Sequence, residues 1–166
     1  MIFLENEYLK VSFENKGAEL QSLVNKQNNI NYLWNGNATY WAKFSPVLFP
    51  IVGGLKDNTY HFENNTYHLP RHGFARDHDF EAICINDTEL VFKLSQNEET
   101  LKNYPFKFVL QLRYRLQGSQ LSCTYEVSNP SQDNSLWFSI GAHPAFSVPL
   151  KEDLRYTDYF LEFNKD

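Results

Sequence analysis

Two short segments carry histidines in settings that suit acid–base chemistry. His143 lies in the run Gly-Ala-His-Pro-Ala at residues 141–145, and His72 lies in the run Arg-His-Gly-Phe-Ala-Arg at residues 71–76. Small residues before His143 let a ligand approach, and the following proline stiffens the loop. An imidazole with an ordinary pKa of about 6.5 gives or takes a proton near neutral pH. With the guanidinium of Arg76, these rings suggest a cleft for acid–base work on a neutral, hydroxyl-rich ligand.

A plainer interpretation stays open for each of these residues. His143 and His72 could each satisfy only backbone groups, at a strand end and after a turn. Arg71 and Arg76 bracket the segment Gly-Phe-Ala, and one of them could fork onto hydroxyls or a carboxylate. A simply solvated arginine is the favoured interpretation for Arg71 and less so for Arg76.

The spacing of the histidines and the motifs of the chain do not indicate a metal site, a hydrolase or a nucleotide-binding site. The five histidines are His61, His68, His72, His78 and His143. A proline between His68 and His72 prevents a helix that would align them, and we expect His61 and His68 to face different ways on a hairpin. No zinc-type spacing, Gly-x-Ser-x-Gly elbow or phosphate loop occurs. We therefore predict no metal site and no cofactor.

Length and charge limit the class of protein further. The chain has 166 residues, which predicts a single domain over residues 1–166. Its net charge is −5 with no run of basic residues, which argues against nucleic-acid binding and against a polybasic membrane anchor. The 14 Phe, 10 Tyr and 3 Trp favour sheets, and their ring faces also suit sugar binding, although most should be core.

Two further features point to a reducing compartment. Cys84 and Cys123 are far apart in strand-like runs, which predicts two buried free thiols rather than a disulfide. The N-terminal sequence Met-Ile-Phe-Leu-Glu offers no signal-peptide core, so we expect a cytoplasmic protein.

Short alternating runs every eight to twelve residues predict an all-β sandwich or barrel with one short helix. Residues 44–52 contain two prolines and are expected to form an edge or a lining loop. The helix is expected at residues 97–103, with Asn97 as its N-cap. Strands are expected at residues 9–13, 18–24, 32–34, 58–62, 66–69, 80–86, 89–94, 106–116, 120–128, 135–140 and 156–163.

The last expected strand ends without turn or capping residues. That ending predicts a sandwich that is incomplete at its C-terminal side. An incomplete sandwich leaves an unpaired strand edge, which favours pairing with a second copy as a homodimer.

In combination, several segments make the chain resemble the aldose 1-epimerase (galactose mutarotase-like) family, and within it the LacX-like bacterial branch. Each segment is weak alone, but their order and spacing are specific. They are Gly-Ala-Glu-Leu at 17–20, Pro-Val-Leu-Phe-Pro-Ile-Val-Gly at 46–53, Leu-Lys-Asp at 55–57, Arg-His-Gly-Phe-Ala-Arg at 71–76, Tyr-Pro-Phe at 104–106 and Gly-Ala-His-Pro-Ala-Phe at 141–146.

The resemblance implies a fold, a reaction and roles for particular residues. The fold is the large antiparallel supersandwich, of which this chain would be an N-terminal portion. The reaction interconverts the α and β anomers of an aldose through ring opening. His143 matches the general acid at the ring oxygen, His72 matches the second histidine near that oxygen, and Arg76 matches a substrate-contacting arginine. That the two histidines meet is implied by the resemblance alone.

Two departures from the family pattern carry consequences. Gly54 stands where many relatives have an arginine, and Lys56 is the expected replacement donor to the sugar. The glutamate that serves as general base in the family lies in a downstream segment this chain does not contain, so the 166 residues by themselves should be nearly inactive. The alternatives are a non-catalytic carbohydrate-binding protein on the same fold and a hexose-phosphate 1-epimerase, which would use Arg71, Arg76 and Lys56 for the phosphate.

Overall fold

The computed structural model describes residues 1–162, and antiparallel strands dominate it. A single α-helix, α1 (Glu98–Asn103), and three 3-10 turns at Lys56–Asn58, Ala75–Asp77 and Tyr156–Asp158 accompany them. The strands are β1 (Ile2–Glu5), β2 (Leu9–Phe13), β3 (Leu20–Asn25), β4 (Ile30–Asn31), β5 (Val47–Leu48), β6 (Thr59–Phe62), β7 (Asn65–His68), β8 (Glu81–Asn86), β9 (Glu89–Ser95), β10 (Val109–Gln117), β11 (Gln120–Ser128) and β12 (Gly141–Ala142).

Two four-stranded sheets form the body of the domain. Their strand orders are β1-β2-β3-β4 and β11-β10-β9-β8. The sheets share one apolar core, in which the ring of Phe13 lies 5.7 Å from that of Phe92 and 4.6 Å from that of Tyr114. The prediction of an all-β antiparallel sandwich is confirmed.

Period-two alternation explains why β10 forms and which way it faces. Leu110, Leu112 and Tyr114 are buried, because successive side chains of a strand point to opposite faces. On the other face, Arg113 and Arg115 both form ion pairs with Glu89 of the neighbouring strand, at 2.7 and 3.0 Å. The sequence therefore determines both the strand and its buried side.

The hairpin of β6 and β7 has the expected position, and its register corrects one expectation. Thr59 pairs with His68 and His61 pairs with Thr66, so both histidines lie on the same exposed face rather than on opposite faces. The turn holds Glu63 and the next residue at φ 46° and 62°, as a two-residue hairpin turn requires. This compact turn fixes the register, which the polar loop sequence alone had not revealed.

The predicted helix is confirmed together with its cap. The Asn97 side chain accepts a hydrogen bond from the Thr100 backbone N–H at 2.8 Å. The Thr100 hydroxyl accepts one in return from the Asn97 backbone N–H at 2.9 Å. This reciprocal pair satisfies two N–H groups that the helix start would otherwise leave without partners.

Three expected strands are wrong where the chain is extended but finds no neighbour to form a ladder. Residues 32–34 make one isolated bridge, through Leu33. Residues 135–140 form no strand, and only Gly141–Ala142 pairs, with β5. Residues 156–162 contain a 3-10 turn in place of a strand, and residue 163 of that expected strand lies outside the described residues. Alternation signals an extended chain, whereas a ladder needs a partner strand.

Other boundaries moved because of local backbone geometry. The strand expected from residue 18 begins at Leu20, since Gly17 and Ala18 turn with φ of 70° and 48°. β1 was not expected, and β4 lies in what reads as a polar turn.

The two cysteines are free, but they are less buried than expected. Cys84 is exposed, because β8 is an outer strand of its sheet and most of its residues face solvent. Cys123 is half-buried, and desolvation raises the pKa of its thiol. The prediction of a buried thiol is wrong for Cys84.

Candidate functional site

Residues 46–53 form a segment whose backbone is hydrogen-bonded to both candidate histidine segments. At its start, the Pro46 carbonyl accepts a hydrogen bond from the His143 backbone N–H at 3.1 Å. At its end, the Gly53 carbonyl accepts one from the His72 backbone N–H at 2.7 Å. The short β5–β12 pair adds ladder contacts between these points. Non-local backbone pairing thus gathers residues far apart in the chain.

Gly53 and His72 hold each other at two points. Besides the backbone bond, the Gly53 N–H donates to Nδ1 of the His72 ring at 3.0 Å. A neutral imidazole carries one N–H, so its proton then lies on Nε2. His72 therefore presents Nε2–H as a donor, which suits an oxygen atom of a ligand.

The guanidinium of Arg71 lies beside the same ring. Its Nε is 3.2 Å from His72 Nε2. When the ring proton is on Nε2, Arg71 Nε–H and His72 Nε2–H are both donors. The neutral ring therefore cannot accept a hydrogen bond from Arg71 at this contact. The bond from Gly53 is shorter and is fixed by the backbone, and we assign the tautomer from it. A ligand oxygen placed between Arg71 and His72 would accept from both.

The electrostatics favour the neutral form of His72. Burial of the half-exposed ring lowers its pKa first, and the positive charges of Arg71 and Arg76, followed by His143, lower it further. Both effects disfavour a second proton on the ring.

The His72 and His143 rings lie next to each other in an edge-on arrangement. Their centroids are 6.4 Å apart with planes at 62°. The indole of Trp41 also contacts His143, with ring centroids 5.0 Å apart and planes at 45°. His143 is exposed, so a ligand can reach its ring. The structure thus brings together the two histidines that the resemblance paired.

Arg76 is held by the segment that carries His72. Its Nη2 donates to the Arg71 carbonyl at 2.9 Å, and its buried Nε has no hydrogen-bond partner among the described residues. The same Nε lies 3.6 Å from a carboxylate oxygen of Asp77. This arrangement fixes the guanidinium close to the His72 loop.

Lys56 does not join this group. It lies exposed in the turn Lys56–Asn58, and within residues 1–162 no hydrogen bond, ion pair or ring contact joins it to His72, His143 or Arg76. A Cβ built on Gly54 would lie 3.9 Å from the Cγ atom of Arg71. Arg71, rather than Lys56, therefore borders the space beside Gly54.

In the described part of the chain, no hydrogen bond or ion pair joins a carboxylate to the His143 ring. Glu126 pairs with Arg113 at 3.3 Å, and Glu19 is buried against backbone N–H groups. No group of three metal-binding side chains occurs among residues 1–162. Nor do these residues contain a helix long and apolar enough to cross a membrane.

Sequence reasoning missed Trp41 and Glu19 at this site, and for Arg71 it favoured a simply solvated side chain. Trp41 lies against His143, Arg71 lies against His72, and Glu19 holds the loop to which the His143 segment is bonded. For Arg71 the sequence signal was its place directly before His72. Trp41 and Glu19 reach the site only through tertiary contacts.

Comparison with known proteins gives a consistent result. A model of the aldose 1-epimerase family matches residues 1–166. The protein LacX, chromosomal, of Lactococcus lactis subsp. lactis is 36% identical over 169 residues, covering 99% of this chain and 56% of its own.

Two solved structures with a similar fold are also described as galactose mutarotase-like or related proteins. A galactose mutarotase-like protein from Lactobacillus casei is 43% identical, with a TM-score of 0.86 over 92% of this chain and 52% of its own. A galactose mutarotase related enzyme from Lactobacillus acidophilus is 39% identical, with a TM-score of 0.90 over 93% of this chain and 51% of its own. The fold is therefore galactose mutarotase-like, and the chain spans about half the length of the relatives it matches.

Proposed function

Since this chain belongs to the aldose 1-epimerase family, in its LacX-like branch, we propose that it serves the interconversion of α and β anomers of an aldohexose. The supporting observation is the pair of imidazoles whose centroids lie 6.4 Å apart, one with its donor nitrogen set by the backbone. Such a pair can place two N–H donors on the ring oxygen of a pyranose.

In this proposal, His143 is the catalytic acid and the other groups bind the sugar. His143 gives its proton to the ring oxygen as the C1–O5 bond breaks, while a base takes the proton of the C1 hydroxyl. The resulting C1 carbonyl can rotate about C1–C2, and reversal of both proton transfers closes either anomer. His72 Nε2–H and the Arg76 guanidinium donate to sugar oxygens. Lys56, which makes no hydrogen bond or ion pair with them within residues 1–162, is proposed as an outer contact to the sugar.

Within the described residues, no carboxylate is placed to act as the base that accompanies His143. Without that base one of the two proton transfers is uncatalysed, and the rate falls by a large factor, since each positioned group is worth about 10²–10⁴ in rate. We therefore expect the 166-residue chain alone to bind sugar and to anomerise it slowly. We also propose residues 1–166 as one structural unit.

Polarimetry on freshly dissolved α-glucose or α-galactose tests the proposal. In the whole protein, His143→Ala should lower the catalysed rate at least about a hundredfold. His61→Ala is the matched control, because His61 is an exposed histidine of the β6–β7 hairpin whose ring is hydrogen-bonded to Thr66. An unchanged rate in His143→Ala would remove this residue from its role.

A non-catalytic carbohydrate-binding protein is the second candidate, favoured by the lack of a carboxylate bonded to His143 among residues 1–162. Saturable binding of aldoses without faster anomerisation in the whole protein would support it. A hexose-phosphate epimerase is the third, favoured by the two guanidiniums of Arg71 and Arg76 beside His72. If a sugar phosphate competes more strongly than the free sugar, that candidate replaces the first.

Location and assembly are also proposals. We propose a cytoplasmic protein, on the grounds of its two free thiols. A homodimer formed through strand β11, which pairs on one side only within the described residues, would appear as a doubled mass in light scattering.

A further inference from the structure

We propose that Glu19 is the positioning residue for His143. Its buried carboxylate holds the backbone of residues 44–46, and that backbone in turn holds the segment that carries His143. The claim about position stands on the geometry alone, whereas its consequence for sugar binding rests on the proposed function.

The carboxylate is buried and is used as a backbone clamp. Glu19 is 7% exposed. Its Oε1 accepts hydrogen bonds from the N–H groups of Phe44 and Ser45 at 2.8 and 3.1 Å, while Oε2 makes only a long contact of 3.4 Å with Gln21. Two consecutive N–H groups converging on one charged oxygen form a strong, directional hold on the loop.

The opposite side of the same loop faces the His143 segment. The Phe44 carbonyl accepts from the Ala145 N–H at 2.9 Å, and the Pro46 carbonyl accepts from the His143 N–H at 3.1 Å. The loop therefore transmits the position of Glu19 to the backbone on both sides of the His143 side chain. Glu19 itself does not contact the imidazole.

The turn before Glu19 is fixed by contacts with two other segments of the chain. Gly17 and Ala18 adopt left-handed φ values of 70° and 48°. A Cβ on Gly17 would lie 2.8 Å from the Arg76 carbonyl oxygen, so only glycine allows this close approach. The Tyr114 hydroxyl donates to the Ala18 carbonyl at 3.3 Å, which anchors the turn to the core.

The same loop is also tied to the His72 segment, although more weakly. Lys43 lies 3.6 Å from the carboxylate of Asp77, which also lies 3.6 Å from Arg76. These groups are partly exposed, so the pairing is screened by water and contributes little. The buried clamp of Glu19 is therefore the dominant constraint on the loop.

The test compares Glu19→Asp with Glu19→Gln by NMR of the histidine side chains in the chain without ligand. Aspartate keeps the charge but is one methylene shorter, so it loses the reach to both N–H groups. Glutamine keeps the reach and an oxygen that can accept both bonds. Glu14→Asp is the matched control, because Glu14 lies in the same turn region and its side chain makes no hydrogen bond within residues 1–162.

The expected result is specific to one ring. In Glu19→Asp the His143 ring resonances, which sense the Trp41 indole at 5.0 Å, move toward those of a free histidine, while those of His61 and His68 stay in place. Glu19→Gln and Glu14→Asp leave His143 close to its original position. An unmoved His143 in a folded Glu19→Asp overturns the proposal.

Two other outcomes of the Glu19→Asp experiment also decide the proposal. If Glu19→Asp shifts all five histidines together, the role is general stability rather than positioning. If Glu19→Asp unfolds, amide hydrogen exchange in Glu19→Gln decides, because a neutral oxygen holds the Phe44 and Ser45 N–H groups less strongly than a carboxylate does. Faster exchange at Phe44, Ser45, His143 and Ala145 than at Leu112 in β10 supports the clamp, and a uniform response opposes it.

Sugar binding gives a second, separate readout. Glu19→Asp should weaken the apparent affinity for aldose at least about tenfold, because a small misplacement of a binding group is costly. If the unaltered protein binds no sugar, the proposed function fails, and the ligand-free NMR result still decides the role of Glu19.

Discussion

His72 and His143 are bonded to the two ends of one backbone segment: His143 N–H to the Pro46 carbonyl at 3.1 Å, and His72 N–H to the Gly53 carbonyl at 2.7 Å. The spacing of the two imidazoles is thus set by the segment between these carbonyls, whose strand residues Val47 and Leu48 pair with β12. A change that moves either end of this segment should move one ring relative to the other.

Gly73→Ala should destabilise the domain strongly. Gly73 has φ of 70°, and an added Cβ would lie 2.2 Å from the Phe49 carbonyl oxygen within residues 46–53. The left-handed conformation alone costs an alanine about 1–2 kcal/mol, and the clash adds to it. We expect the free energy of unfolding in urea to fall by more than about 2 kcal/mol.

Gly118→Ala is the control for that experiment. Gly118 has φ of 56° but nothing within 4 Å of an added Cβ, so it incurs only the conformational cost. Equal losses in the two variants would show that the contact with Phe49 is unimportant.

The stability of the fold should depend on the protonation of His72. Its pKa in the folded state lies below the ordinary value of 6.5, so the unfolded chain takes up this proton first as the pH falls. The stability that neutral His72 contributes is fully present above pH 6.5. It is lost as the pH falls from 6.5 to the pKa of His72 in the folded state. Protonation of Nδ1 also breaks the bond from Gly53.

Urea unfolding at about pH 7.5 and about pH 5 measures this dependence. His72→Asn is the comparison variant, since asparagine tolerates the φ of 69° found here and does not titrate. The unaltered protein should lose more stability between the two pH values than the variant does. Identical losses would contradict the assignment.

Arg71→Met should raise the pKa of His72. Among the charged neighbours that lower this pKa, Arg71 is the largest contributor, and methionine keeps the length of the side chain without its charge. NMR titration of the His72 ring follows the change. Arg155→Met, which removes an exposed arginine whose side chain pairs with Asp158, should leave that titration unaltered.

If the protein binds sugar at the proposed site, sugar should change the tryptophan fluorescence, and Trp41→Phe should abolish that change. The indole of Trp41 lies 5.0 Å from the His143 ring, where it offers a flat face to a bound pyranose. Its loss should also weaken binding by about tenfold, which corresponds to about 1.4 kcal/mol.

Trp137→Phe serves as the control for Trp41. Trp137 is exposed and lines a separate apolar cavity of about 430 Å³ together with Tyr60, Phe62 and Phe106. If the fluorescence response disappears with Trp137 instead, the sugar binds at that cavity and the site described above is wrong.

Local sequence signals predicted much of the scaffold. The alternation of Leu110, Leu112 and Tyr114 determined the buried face of β10, and Asn97 with Thr100 determined the start of the helix. These features depend on residues within one turn or one strand. The family motifs added His72, His143 and Arg76, and the family assignment followed from them.

Only the tertiary structure decided how the site is assembled. Residues 135–140 alternate like a strand yet form no ladder, Lys56 makes no bond to either histidine within residues 1–162, and Arg71 lies beside the ring of His72. Glu19 and Trp41 join the site through contacts with distant segments. Hydrophobic periodicity reports which side of a chain is buried, whereas the partner of each backbone group and each ring depends on residues far away in sequence, and a local pattern carries no information about them.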